Sequence, residues 1–137
     1  MINASGSRAM HEYRQINTQS AVEAASPHRL IQLMMEGVLA RIAMARGHME
    51  RGAVAEKGAR IGDAIGIVNG LRASLNHDAD ARLSANFEAL YDYMARRLLE
   101  ANLRDDPAAL DEVAGLMREL KEAWEAVPPE VTGAPAA

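Results

Sequence analysis

The chain has 137 residues, no cysteine, and 19 acidic against 15 basic side chains, for a formal net charge of -4. That length suits one domain able to bury its own core, and the missing thiols exclude a disulfide framework and sulfur-ligated metal. The mildly acidic balance lacks the basic footprint of a nucleic-acid binder. No run of apolar residues is long enough for a spanning helix.

The polar stretch Met1 to Arg14 lacks the apolar centre of a signal peptide, which places the protein in the cytoplasm as an expectation. Within residues 1–25, Met10, Tyr13 and Ile16 are spaced by three and could form one face of a short helix. The segment is too short and polar to hold itself helical in water. It is expected to be a helical or extended arm, partly flexible, and a candidate cap over a binding groove.

Four long helices are expected to follow, over residues 26–128. The first begins at Ser26-Pro27, a side-chain cap followed by a proline suited to the first helical position. Ile31, Met35, Val38, Ile42, Ala45 and Met49 then repeat at 4, 3, 4, 3, 4, and Gly52 is a plausible terminator. The second runs from about Val54 to Leu75, with the stripe Ile61, Ala64, Val68, Leu71, Leu75, and a turn cluster at Asn76-His77-Asp78. The third covers about Ala81 to Asn102, with Leu83, Phe87, Leu90, Met94, Leu98 and Ala101. Asp106-Pro107 repeats the cap-plus-proline start, and Leu110, Val113, Met117, Leu120, Trp124 and Val127 carry the fourth helix to the Pro128-Pro129 stop. Residues 129–137 read as a disordered tail. Short connections make successive helices antiparallel. The fold expected is all-α, an antiparallel up-down-up-down four-helix bundle.

Three features stand outside this frame. Gly58, Gly62, Gly66 and Gly70 fall every four residues in the second helix. Each costs about 1 kcal/mol relative to Ala, so something should offset them. A neighbouring helix of the bundle could fill the channel they make, or part of it could face outward and receive a partner helix. Met34 and Met35 suit an adaptable surface, although methionines are more often core filler. Tyr91 and Tyr93 are about 200° apart around a helix, so they cannot share one core face.

Catalytic and metal signatures are missing. No His has a Glu three residues before it, as di-iron bundles require, and no His-Glu-x-x-His, P-loop or Gly-x-Gly-x-x-Gly occurs. Asp78-x-Asp80-x-Arg82 fails as a calcium loop because its fifth position is basic. No enzyme activity, metal or cofactor is expected.

The third helix, through Asn86-Phe87-x-x-Leu90-Tyr91-Asp92-Tyr93-Met94 and Arg97-Leu98-x-x-Ala101-Asn102, resembles the central signature of the flagellin-specific export chaperones, the FliS family. Leu110-x-x-Val113-x-x-Leu116-Met117-x-x-Leu120-x-x-Ala123-Trp124 is similar to that family's last helix. Tyr13, Ser26-Pro27-x-x-Leu30-Ile31 and Ala64-x-x-Ile67-Val68-x-x-Leu71-x-x-Ser74-Leu75-Asn76 resemble its earlier segments. One departure stands out: Met34-Met35-Glu36-Gly37-Val38 occupies the place of the family's Leu-Tyr-Asp-Gly-Ala.

The resemblance implies a cytoplasmic chaperone that binds the disordered C-terminal helical segment of flagellin, prevents premature polymerisation and keeps the subunit competent for type III export. It also implies a link to the flagellar export gate. Candidate flagellin-binding residues are Met10, Tyr13, Ile16, Leu33, Met34, Ile61, Ala64, Ile65, Val68, Leu71, Tyr91 and Tyr93. Nucleic acid and membrane insertion are not expected, and the protein should be a monomer or weak dimer. The alternative is a self-associating structural bundle whose glycine row builds a homodimer.

Overall fold

The structure is a computed structural model, and it describes residues 26–75 and 81–127. The expected cap over residues 1–25, the turn cluster at Asn76-His77-Asp78 and the tail at 129–137 lie outside the described residues.

Four helices make up the described chain: α1 (Pro27–Glu50), α2 (Val54–Ala73), α3 (Ala81–Arg104) and α4 (Pro107–Ala126). Their starts follow the local chemistry. The Ser26 hydroxyl accepts the Arg29 backbone N–H at 3.1 Å with Pro27 opening α1, and the Asp106 carboxylate accepts the Ala108 N–H at 3.0 Å with Pro107 opening α4. Both satisfy an amide that a helix start leaves unpaired. Gly52, at φ +71°, makes the turn out of α1 in a conformation that costs glycine little. Asp105, at φ 49°, makes the turn out of α3, which runs two residues past the expected end. At the end of α2 the Ser74 hydroxyl donates to the Gly70 carbonyl at 2.8 Å, and Ser74 and Leu75 leave the helix two residues earlier than expected.

The helices pack in a closed ring, α1 on α2, α2 on α3, α3 on α4 and α4 on α1. Side-chain contacts at both ends establish that α1 and α4, and α2 and α3, run antiparallel. Arg46, late in α1, forks onto Asp111, early in α4, at 2.9 and 3.2 Å. At the other end of that pair the Trp124 indole N–H donates to the His28 carbonyl at 2.9 Å, and the two rings stack with centroids 4.8 Å apart. Lys57 of α2 reaches the end of α3, and Arg72 reaches Glu88 and Asp92 near its start. Glu112 of α4 accepts from Tyr93 and Arg97 of α3.

The core lies along the ring's axis and follows the expected stripes. Val38, Ile42 and Ala45 of α1, Ile61, Ala64, Val68 and Leu71 of α2, Met94, Leu98 and Ala101 of α3, and Leu110, Val113, Met117 and Leu120 of α4 are all buried. Alpha1 buries a wider face than its heptad stripe. Leu30, Met34 and Gly37 join Met35 inside, while Ile31 and Met49 are only half-buried. No strand occurs among the described residues.

Candidate substrate-binding surface

Of the twelve candidate binding residues, Met10, Tyr13 and Ile16 lie outside the described residues. Six others are core. Met34, Ile61, Ala64, Val68, Leu71 and Tyr91 are each no more than 3% exposed. Their side chains face the other helices of the closed ring, so they hold the frame and present no surface to an outside molecule. Leu33, Ile65 and Tyr93 are half-buried and reach the surface. They belong with a second set of half-buried apolar residues, Leu39, Ile67 and Leu116, which pack against the core edge and leave part of each side chain to solvent.

The glycine row of α2 divides among three environments. A Cβ on Gly58 would meet the Asn102 side chain of α3 at 3.8 Å, and Gly70 is buried. Gly62 and Gly66 between them are exposed, and a Cβ on either would meet nothing within 4 Å. Because four residues overshoot a 3.6-residue turn, the row winds by about 40° per step. It therefore leaves the α3 flank and crosses the outward face of α2. Ala55, Ala59 and Asp63 on the same outward stretch are exposed as well. The result is a stretch of helix with small side chains, where another backbone can come close.

The tyrosine pair separates as their angular offset requires. Tyr91 is in the core beside Phe87, ring centroids 6.3 Å apart, and burial pushes its hydroxyl pKa well up. Tyr93 lies on the other side of α3 and donates its hydroxyl to Glu112 at 2.6 Å. Arg97 donates to the same carboxylate at 2.7 Å and to Glu100 at 2.7 Å. The Arg97 hydrogen bond, then the Tyr93 one, hold the Glu112 carboxyl below its ordinary value, while the bond to Glu112 raises the Tyr93 hydroxyl. This cluster clasps α3 to α4. Among the described residues no group of three His, Asp or Glu side chains could hold a metal ion, and no helix is long and apolar enough to cross a membrane.

Sequence reasoning missed Leu103 and Val54, which are 74% and 67% exposed; Met44 is 47% exposed. Leu103 and Met44 fall off their helices' apolar stripes, and that offset was the available signal; Val54, seven residues before the buried Ile61, lies on the stripe but is the first residue of α2. A large apolar residue there has no core to enter.

A ring of four helices, two of them with side-chain-capped starts, with a buried core and apolar flanks is a frame for binding. A family model described as "Flagellar protein FliS" matches residues 9–131, which takes in all four helices. The chain belongs to the FliS family. It is 48% identical over 120 residues to the "Flagellar secretion chaperone FliSB" of Pseudomonas aeruginosa, covering 88% of this chain and 95% of that protein. It is 42% identical over 133 residues to the "Flagellar secretion chaperone FliS" of Salmonella typhimurium, covering 96% of each. The likeness extends to the "Flagellar secretion chaperone FliS" of Bacillus subtilis, 34% identical over 106 residues, 77% of this chain and 78% of that one. FliS is a family of chaperones and not of enzymes.

Within this FliS frame the departure at Met34 to Val38 is a core matter. Met35, standing where the family pattern has Tyr, is 1% exposed, and Gly37 is buried. A flexible thioether fills that space with no hydroxyl to satisfy. Glu36, in the place of the family's Asp, stays at the surface and pairs with Arg29 at 3.4 Å and Lys121 of α4 at 3.8 Å. Its acidic role is thus a bridge from α1 to α4.

Proposed function

We propose that this chain is a cytoplasmic export chaperone that binds the disordered C-terminal helical segment of flagellin, blocks its premature polymerisation and keeps it ready for type III export. The observation that carries the proposal is the likeness to flagellar secretion chaperones across the whole bundle, 96% of both chains in the Salmonella case. A disordered amphipathic segment loses conformational entropy when it orders, so a holder must supply a long apolar track. Leu33, Leu39, Ile65, Ile67 and Leu116 give partial apolar surface on three helices. The open stretch at Gly62 and Gly66 lets a bound helix approach α2 closely. In this reading Met10, Tyr13 and Ile16 cover part of that track until the substrate displaces them, and the loaded chaperone hands its cargo to the flagellar export gate. Binding energy alone does the work, and no nucleotide is consumed.

Isothermal titration with the last ~60 residues of the organism's own flagellin, a length suited to burying some 1,000–3,000 Å², tests this. One-to-one saturation with a large negative heat-capacity change is the expected result. A folded sample that gives no heat at several temperatures overturns the proposal. Concentration-dependent sedimentation of that sample would then favour a self-associating bundle.

A further inference from the structure

No further inference is drawn: the strongest candidate, the exposed apolar strip of Leu99 and Leu103 on the outer face of α3, is bordered by arginines that are each already paired with carboxylates of the same face, and nothing in the structure shows what covers it.

Discussion

The Lys57 ammonium donates to the main-chain carbonyl of Asn102 at 3.0 Å, tying the first turns of α2 to the last turn of α3. The same nitrogen is 2.5 Å from the Asp105 carboxylate, while the Lys57 side chain is only 4% exposed. A cation at a helix C-terminus meets carbonyls that have no partner within their own helix, so one lysine closes α3 and joins it to α2. Lys57→Met keeps the apolar stem and removes the donor. It should cost about 1.5–3 kcal/mol, the range for a hydrogen bond to a charged group. Asp105→Asn, at a residue whose carboxylate is largely in water, should cost under about 1 kcal/mol. Urea denaturation of the two variants against the parent checks the order; equal losses would mean that the ion pair, and not the carbonyl cap, joins the helices.

The glycines of α2 and its preceding turn should respond in opposite directions. Gly62→Ala and Gly66→Ala add a methyl group that meets nothing within 4 Å, and each should stabilise the bundle by about 0.8–1.0 kcal/mol. Gly52→Ala puts a side chain on a residue at φ +71° and should cost about 1–2 kcal/mol. Thermal melts of the three single variants decide this. Under the proposed function the two stabilised variants should also hold the flagellin segment less tightly, as titration would register, because the added methyl groups keep its helix away from α2.

Trp124 is the sole tryptophan of the chain, and its N–H bond to the His28 carbonyl closes the α1–α4 end of the bundle. Trp124→Phe keeps a ring to stack on His28 and loses the donor. A loss of about 1 kcal/mol is expected from the missing hydrogen bond. In the parent protein the fluorescence of this indole should shift to longer wavelength in the same urea transition that circular dichroism reports. Separate transitions would mean that this end opens before the rest.

Acid should loosen the α3–α4 clasp. Hydrogen bonds from Arg97 and then Tyr93 lower the Glu112 carboxyl below its ordinary 4.5. A carboxyl whose folded value lies below its unfolded one adds stability above the unfolded pKa, and that contribution is lost as pH falls through the lower folded value. The stability gap between the parent and Glu112→Gln should therefore be constant from neutral pH down to about 4.5 and shrink below it. Denaturation midpoints of both proteins from pH 7 to pH 3 test this; a gap unchanged to the lowest pH would remove the ionised carboxylate from the account.

Much of the fold was legible because it rests on local rules. Ser26-Pro27 and Asp106-Pro107 start helices by chemistry contained within four residues, and the repeat from Leu110 to Leu120 names its buried face without reference to a partner. The family was legible in the same way, through Leu90-Tyr91-Asp92-Tyr93-Met94 and its neighbours on α3. The surface was not. Periodicity marks the centre of an apolar face, but its edges depend on where the adjacent helices sit. Met34 became core and its neighbour Leu33 did not, and Ile61 sank while Ile65, one turn on, stayed at the rim. The glycine row could not be assigned from spacing, since a winding row passes from the α3 flank at Gly58 to open solvent at Gly62 and Gly66. Lys57 is buried because the end of α3 lies beside it. What the sequence by itself determined is which segments are helical and which face of each is greasiest, because those follow from neighbours along the chain. What only the tertiary structure decided is which edges, glycines and charges are covered, because that depends on residues of other helices, such as Asn102 for Lys57 and Asp111 for Arg46, 45 and 65 positions away.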